Sequence, residues 1–392
     1  MSSVASSVDL VQYRDRKRYL WLLSIFVPAL MNVGLLLYLL SHKLFMLWVP
    51  VAFNYLAMPL ADFFAGEDRS NPPESAIEAL EVDAYYRYIT YAVVPVLWMT
   101  YIFAAWFVSR YALPWYGELA VILTTGSAGG FCINVGHELG HKQTNVERWL
   151  AKIILAPTGY GHFTIEHNRG HHTEVATPAD PASARMGEGL WRFALREMPG
   201  AIRRAWGLEK VRLARLNQPV WSIQNEILQP LLITLAFYVV MIAWLGIRVL
   251  PFLVLSALWA NFQLTCANYV EHYGLLRRTL PNGSFERCQP YHSWNSNHMF
   301  SNWALFHLQR HSDHHTYPGR RYQSLRHFDE LPTLPNGYFG MFTLAYFPPL
   351  WSRVMDPRLL RAVQRDPTRI NFQPAKRQKL MRKYGLEGCV SR

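Results

Sequence analysis

The chain is 392 residues long, with 51% hydrophobic and only 17% charged residues and a net charge of +12. Soluble domains usually carry about 25% charged residues, so the composition disfavours an ordinary soluble protein and favours a membrane protein. The basic residues lie mostly between and after apolar runs, whereas a nucleic-acid-binding protein concentrates them on one polar module, so we expect no nucleic-acid partner. The four cysteines form no C-x-x-C pair, which argues against a disulfide framework and a thiolate metal site.

Six apolar runs are long enough to cross a bilayer as helices, which takes about 20 residues each. The first run exceeds the apolar core of a signal peptide, so we expect it to be retained. We therefore predict an all-α integral membrane protein with six transmembrane helices and a helical cytoplasmic cap. The predicted spans are residues 19–40, 44–64, 85–108, 113–135, 230–247 and 252–269.

The distribution of positive charge predicts the orientation in the membrane. Lys43, Arg110 and Arg248 fall in the short loops on one side, and the remaining 36 basic residues lie on the other. Cytoplasmic loops carry the excess of Lys and Arg, so both termini and the long polar blocks are predicted to be cytoplasmic. The simplest explanation of this excess of positive charge is that it only sets the topology. The predicted organisation is a cytoplasmic N-terminal segment (1–18), spans one to four (19–135), a cytoplasmic region (136–229), spans five and six (230–272), a second cytoplasmic region (273–366) and a basic C-terminal tail (367–392).

The fourth predicted span is rich in small residues between Gly126 and Gly130. Small residues allow helix backbones to approach closely in lipid. We favour helix packing as their role over the shaping of a substrate channel.

Nine histidines stand at positions typical of metal ligands, enough to hold more than one ion. Residues four apart on a helix project about 40° from each other, so His137 and His141 share a face, as do His167 and His171. His137 and His272 follow the ends of two predicted spans and should lie at similar depth. The nine are His137, His141, His167, His171, His172, His272, His311, His314 and His315.

The number of histidines bears on the metal. One zinc ion takes three or four protein ligands, so nine imidazoles fit two redox metals with open positions better. A neutral histidine shell would leave about +4 of charge from two divalent ions, and nearby carboxylates could offset it. Metal-bound imidazoles usually donate their other N–H to such a group. The acidic residues adjoining these histidines are therefore predicted to support the ligands: Glu138, Glu166, Glu271 and Asp313.

Other readings of the histidines stay open. His137-Glu138-Leu139-Gly140-His141 also matches the zinc-protease signature, although a protease would leave most of the other histidines unexplained. The six remaining histidines are expected to be hydrogen-bonded or surface residues, with His307 and then His298 the most doubtful. They are His42, His162, His292, His298, His307 and His327.

Four motifs resemble the membrane alkane 1-monooxygenase family, which lies within the histidine-rich di-iron desaturases and hydroxylases. They are His-Glu-Leu-Gly-His-Lys at 137–142, Glu-His-Asn-Arg-Gly-His-His at 166–172, Asn-Tyr-Val-Glu-His-Tyr-Gly-Leu at 268–275 and Leu-Gln-Arg-His-Ser-Asp-His-His at 308–315. The last two separate this family from ordinary desaturases. The resemblance extends from about residue 19 to about residue 357, and the nine histidines match the family's iron ligands.

The resemblance implies hydroxylation of the terminal methyl of medium-chain alkanes to 1-alkanols, with two non-haem iron ions, O2 and electrons from rubredoxin. It also implies a bacterial inner membrane, substrate taken from the lipid phase, and a rubredoxin, separate or fused, with its reductase. An apolar tunnel lined by spans two, four, five and six would select the alkane. Asn54, Asp62 and Asn134, polar residues in or near spans, are candidates for this channel, although Asp62 could equally be a helix-end residue near headgroups.

Two other classes of function remain at this point. A fatty acyl desaturase or hydroxylase would share the iron cluster but need a polar groove for a headgroup or carrier. A metal or haem transporter would place ionisable residues along a path through the spans, whereas these histidines cluster at one end.

Overall fold

The computed structural model of the chain describes residues 13–387. Residues 1–12 of the predicted N-terminal segment, and residues 388–392 of the predicted tail with Cys389, lie outside the described part. Between residues 13 and 387 the structure contains helices, turns and isolated β-bridges but no β-strand. The prediction of an all-α protein is confirmed.

Six helices are long and apolar enough to cross a membrane, as predicted, and their ends differ from the predicted ones by five residues or fewer. Their length and hydropathy make the chain a multi-pass membrane protein. They are span 1 (Leu20–Ser41), span 2 (Leu44–Ala65), span 3 (Ala84–Arg110), span 4 (Trp115–Gly140), span 5 (Leu228–Leu245) and span 6 (Val249–His272).

Three of the spans depart from regular α-helix at identifiable places. Span 1 contains Pro28 and short 3-10 turns, and span 3 contains Pro95. In span 2 the segment Phe53–Ala57 is π-helical. Proline removes a helical hydrogen bond, and π segments are frequent at functional sites, so the departure in span 2 is the one with functional interest.

The other helices form a cap at the end of the bundle where spans 4 and 6 finish. The irregular helix 163–174 consists of Phe163–Ile165, the π segment Glu166–His171 and His172–Glu174. The remaining α-helices are Ile77–Val82, Asn145–Leu155, Leu190–Arg215, Met299–Ala304, His311–Thr316, Tyr338–Ala345, Pro348–Ala362 and Arg377–Tyr384, and 3-10 turns lie at Glu74–Ala76, Ala156–Thr158, Pro290–His292, Tyr322–Ser324, Pro367–Arg369 and Pro374–Lys376.

Span 4 is the most buried of the six spans and packs against spans 3 and 6. Its glycines allow this approach, because a Cβ at Gly126 would lie 2.6 Å from the Trp259 side chain of span 6. Ser127 and Gly130 instead face an internal cavity. The small residues therefore serve helix packing, as favoured from the sequence, and two of them also shape a cavity.

The segment after residue 366 is joined to the cap rather than lying apart from it. Ile370 forms a β-bridge with Leu275, and Phe372 forms one with Met186. Leu380 of the helix Arg377–Tyr384 is buried. The region predicted as a basic tail is thus packed against the cap as far as residue 387.

Candidate metal centre

Nine histidines from four distant segments lie together at the cap end of spans 4 and 6. They form two groups, and within each group the ring nitrogens that face one another all lie within 4.8 Å. All nine histidines singled out in the sequence are thus brought together. Group A is His137, His141, His167, His172 and His314, and group B is His171, His272, His311 and His315.

Two long spans carry histidines into the cap. Span 4 continues to Gly140, five residues past its predicted end, so His137 lies on its last turns and His141 directly follows it. These two share a face, as their spacing predicts, and both belong to group A. His272 is the last residue of span 6 and belongs to group B.

Helix 163–174 supplies histidines to both groups because it is not a regular α-helix. Its π segment closes hydrogen bonds over five residues rather than four. His167 therefore meets His172, with their Nε2 atoms 3.0 Å apart, while His171 enters group B. The His167 and His171 rings do share a face, as predicted, and stack with their centroids 5.2 Å apart, but the π turn places them in different groups.

The spacing of the ring nitrogens fits a shared metal ion. Imidazole nitrogens bound at about 2.1 Å to one ion lie roughly 3.0–3.4 Å apart when the angle between them is about 90–109°. The Nε2–Nε2 distances in group A are 3.0 Å for His137–His314 and 3.2 Å for His172–His314, and those in group B are 3.2 Å for His272–His311 and 2.9 Å for His311–His315.

Nδ1 of His311 and Nδ1 of His315 are buried without a hydrogen-bond partner among the described residues, and so are two Nε2 atoms that face the groups. These two Nε2 atoms belong to His141 in group A and His171 in group B. A buried polar atom without a partner is costly, and a metal ion would remove that cost. The donor set and its orphaned atoms therefore fit a pair of metal ions.

Burial also places three of the cap histidines in the protonation state that metals require. Burial, reinforced by the neighbouring imidazoles, lowers the pKa of His167, His314 and His315 well below the ordinary value. These rings are neutral at physiological pH. Metal ligation needs the neutral imidazole, so these side chains need not lose a proton on binding.

A carboxylate that the sequence analysis missed supports group B. Asp180 Oδ2 lies 2.9 Å from Nδ1 of His171, and because a carboxylate can only accept, the ring donates and directs Nε2 into the group. Burial alone would raise the pKa of Asp180, but the His171 ring and the Arg204 guanidinium outweigh it and hold the pKa well below its ordinary value. Asp180 lies nine residues after His171 in a loop flanked by prolines. An acidic residue in the loop after the second histidine motif is the sequence feature that could have identified it.

Arg204 ties the π segment to this carboxylate. Its guanidinium pairs with Glu166 and donates to Asp180 Oδ1 at 2.8 Å and to Glu174 at 2.9 Å. The guanidinium lies against Gly170, where a Cβ would stand 2.6 Å from Nε of Arg204. Gly170 therefore gives room for the ion-pair network that braces the π turn.

Three of the four carboxylates predicted to support the histidines contact cations instead. Glu138 lies 3.0 Å from Lys142, Glu166 pairs with Arg204, and Asp313 lies 2.9 Å from Arg320. Neighbours on a helix point in different directions, so a carboxylate next to a histidine in sequence cannot reach the same ring.

Glu271 is the exception. Its Oε2 lies 3.4 Å from Nε2 of His311, a residue 40 positions away, and its Oε1 accepts a hydrogen bond from Tyr338 at 2.9 Å. Glu271 therefore faces group B itself: its carboxylate lies beside the His311 nitrogen that points at His272 and His315, not behind the ring.

The two doubtful histidines lie outside both groups. His307 contacts the carbonyl oxygen of Tyr322 at 3.2 Å and packs edge-on against Trp21. His298 contacts Ser296 at 2.8 Å. Neither of the two groups includes His42, His162, His292 or His327.

An apolar cavity leads from both groups towards span 2. His137 and His167 of group A and His311 of group B stand at one end, and Asn54 and Tyr55 on the π segment of span 2 stand at the other. The rest of the wall is largely apolar and includes Phe131, Ile133, Phe163, Leu264, Ala267, Leu305, Leu308, Phe339 and Phe342.

The predicted lining of this cavity is partly correct. Asn54 and Asn134 line it, as do residues of spans 2, 4 and 6. Asp62 does not line it, because its carboxylate accepts hydrogen bonds from the backbone N–H and the hydroxyl of Ser301 and so ties span 2 to the cap. Span 5 is also absent from the lining, and the apolar helix Tyr338–Ala345 takes that place.

A second, polar cleft of about 980 Å³ opens on the other side of His141. Lys142, Arg148, Lys152 and Arg169 line it. Arg148 and Lys152 donate to amide oxygens of glutamine side chains rather than to carboxylates. Their positive charge is therefore not neutralised by an ion pair among the described residues.

Comparison with known proteins places this architecture. The fatty acid desaturase family model matches residues 112–345, which contain both histidine groups. Alkane 1-monooxygenase 1 of Alcanivorax borkumensis is 49% identical over 98% of this chain and 96% of its own length. The chain belongs to the alkane 1-monooxygenase family, within the fatty acid desaturase family.

Other relatives support this placement. Alkane 1-monooxygenase of Pseudomonas putida is 47% identical over 98% of this chain and 95% of its own length. The xylene/toluene monooxygenase hydroxylase component XylM of Pseudomonas putida is 27% identical over 57% of this chain and 60% of its own length. The alkane 1-monooxygenase resemblance drawn from the histidine motifs is confirmed, and the chain is an oxidoreductase.

Proposed function

We propose that this protein hydroxylates the terminal methyl group of medium-chain alkanes to give 1-alkanols, with O2 as co-substrate. One observation carries the proposal: a membrane-embedded apolar cavity ends on both histidine groups. The relatives named alkane 1-monooxygenase agree with it. An alkane has no polar group, so an apolar tunnel is the means of recognition available to the protein.

Two iron ions are the proposed cofactor, one in each histidine group. Nine imidazoles in two groups exceed what a single zinc ion binds, and oxygenation needs a redox-active metal. The proposed ligands are His137, His141, His167, His172 and His314 for one ion and His171, His272, His311 and His315 for the other. Bound there, the irons would supply the activation of O2 and the oxidation of the C–H bond.

The chain itself supplies orientation and exclusion of water. Phe163 packs against His137 and His167, Phe339 and Phe342 line the same cavity, and together they would keep the substrate dry. At the far end, Tyr55 lies 3.2 Å from Gln263 and 3.4 Å from Tyr346. His272 lies nine positions after Gln263 on span 6, about 13 Å along the helix, a length that suits an extended medium-chain alkane.

Electrons must come from outside the chain. Placing one oxygen atom in the alkane and releasing the other as water consumes two electrons and two protons. We propose that a rubredoxin, separate or fused and served by its reductase, docks at the basic cleft beside His141. Support comes from the unneutralised charges of Arg148 and Lys152, since charge complementarity steers an acidic carrier to its partner.

The proposed location is the bacterial inner membrane, with both termini and the histidine groups on the cytoplasmic side. Support comes from the basic residues, since 36 of 39 lie on that side of the predicted topology. A cytoplasmic cleft would also be accessible to a soluble carrier.

The test is purification of the full chain, quantification of iron, and turnover of octane under ¹⁸O2 with rubredoxin and its reductase. We expect close to two irons per chain and ¹⁸O in 1-octanol. A stearoyl substrate run in parallel tests the fatty acyl desaturase or hydroxylase alternative, for which the family match is the motive. Desaturated stearoyl product without octanol, or a chain loaded with zinc alone, would overturn the proposal.

A further inference from the structure

An open groove of about 1220 Å³ lies on the outside of the bundle, away from the histidine groups. Its walls are the helix Leu190–Arg215, the loop 159–162 and the facing sides of spans 5 and 6. Ile202, Leu231 and Leu258 line it and are about half exposed, at 53%, 42% and 50%. In a membrane protein, lipid is the solvent that covers such side chains.

The depth of this groove follows from span 5. That helix has 18 residues, about 27 Å, which is close to the thickness of a bilayer's hydrocarbon core. Its first residue, Leu228, therefore marks the edge of the core, and Leu231 lies about 4.5 Å inside it. The groove thus crosses the boundary between acyl chains and headgroups.

The helix Leu190–Arg215 has the pattern of a helix lying in that boundary. Trp191, Leu195 and Ile202 are exposed, at 52%, 81% and 53%, and their spacing puts them on one face. Trp221 beyond the helix is also exposed, at 78%. Tryptophan is enriched at membrane–water interfaces, so this face points to the headgroup region.

Two polar groups in the groove point to the chemistry of what fills it. Nε2 of His162 is buried with no hydrogen-bond partner among the described residues, and the side chain is 9% exposed. Arg203 is exposed and takes part in none of the ion pairs that the described residues form. No acidic residue lines the groove. A ring nitrogen without a partner and an unpaired cation, both on the wall of one groove, suit an anion.

We propose that this groove binds one anionic phospholipid, with its phosphate against Arg203 and His162 and an acyl chain along Leu231 and Leu258. The apolar walls, the position at the headgroup boundary and the absence of lining carboxylates all fit this ligand. The site is independent of the proposed catalytic function, since none of the nine clustered histidines lines it.

The test measures lipid retention by the purified full chain with native mass spectrometry. Delipidated protein is titrated with phosphatidylglycerol or with phosphatidylcholine of the same acyl chains. We expect phosphatidylglycerol to bind more tightly, and Arg203→Gln to weaken it about fivefold, the effect of one basic residue near an anionic surface. His162→Leu should weaken it as well. Arg215→Gln, the same change at an exposed position on the same helix outside the groove, should have no effect.

Three results would overturn the proposal. Equal binding of the two lipids would show that the groove does not distinguish an anionic headgroup from a zwitterionic one. If Arg203→Gln and Arg215→Gln weaken phosphatidylglycerol binding equally, the lipid surrounds the whole helix bundle as an annulus and does not occupy this groove specifically. A lipid-free chain that is a stable oligomer, with lipid retention unchanged by Arg203→Gln, would show that a second copy covers the groove. Because Arg203 is exposed, its variant should fold normally; inorganic phosphate serves as the competitor that distinguishes a phosphate site from a lipid site.

Discussion

The two histidine groups use the same kind of ligand in different electrostatic surroundings. In group B, His171 donates to Asp180, and Glu271 lies 3.4 Å from His311. In group A, Glu138 follows His137 in the sequence, and its carboxylate forms an ion pair with Lys142. All four members of group B are buried, whereas His172 of group A is half-buried and His141 lines the basic cleft.

This difference shows that the number of ligands does not set the properties of a metal site by itself. A divalent ion in group B would have two nearby carboxylates to offset its charge, whereas one in group A would rely on five neutral imidazoles and a more open side. Carboxylates bonded to ligating histidines raise the basicity of the ring. Group B should therefore hold its ion more firmly, and group A should be the one exposed to an electron donor.

The largest effect is expected when one ligand is removed from either group. His315→Ala in group B and His314→Ala in group A should each abolish octane hydroxylation and reduce bound iron from about two to about one per chain, since each removes a nitrogen that the ion requires. Iron is measured by mass spectrometry of the purified chain. His42→Ala, outside both groups, is the control. Full turnover with iron depleted in either variant would contradict the assignment.

Removing the carboxylate that supports group B should make the two groups differ in their affinity for metal. Asp180→Asn should weaken metal binding in group B by about 10–100-fold, the usual cost of losing a partner of a ligating histidine, and leave group A unchanged. Titration with a chelator should then release one iron much earlier than the other. Asp366→Asn, at an exposed turn, provides the matched control. Simultaneous release of both irons would show that the groups are not electrostatically distinct.

A smaller effect is expected at the cleft beside group A. Arg148→Glu and Lys152→Glu should lower the rate of association with rubredoxin by about tenfold at low ionic strength and leave iron content unchanged. The difference from wild type should shrink in high salt, which screens exposed charges. Lys379→Glu, exposed on the C-terminal helix, is the control. An equal loss in all three variants would mean that the overall positive charge, not this cleft, attracts the carrier.

The smallest effect is expected at the hydrogen bond that orients Glu271. Tyr338→Phe removes the donor 2.9 Å from its Oε1 and should loosen the group B iron about threefold to tenfold, the net value of a typical hydrogen bond. Tyr322→Phe, which also loses a buried hydrogen bond, controls for general destabilisation. If chelator titration finds the two variants alike, Tyr338 has no specific role at group B.

Much of the fold could be predicted from the sequence because its signals are local. Six apolar runs of bilayer length identify the spans, and the four-residue spacing of His137 and His141 identifies ligands on one helix face. The family motifs identify the remaining histidines. These features depend on composition and helical geometry within a few residues.

The parts that were missed depend on long-range packing or on a change of helical repeat. Asp180 supports His171 from a loop that carries no metal-ligand pattern, and Arg204 pairs with Asp180 from another helix. The helix Tyr338–Ala345 lines the cavity although it is too short to be recognised as a span. Three of the four carboxylates expected to support histidines pair with Lys142, Arg204 and Arg320 instead, and these partners depend on the tertiary structure.

The π segment of span 2 is Phe53–Ala57, and that of helix 163–174 is Glu166–His171. The two lie at opposite ends of the same cavity. The second one has a consequence for the tolerance of the chain to insertions and deletions. Because His167 and His172 are five residues apart in group A while His171 belongs to group B, deleting a single residue between them would reassign histidines between the two groups. That short stretch should be the place where the length of the polypeptide, more than the identity of its side chains, decides whether two metals are held or none.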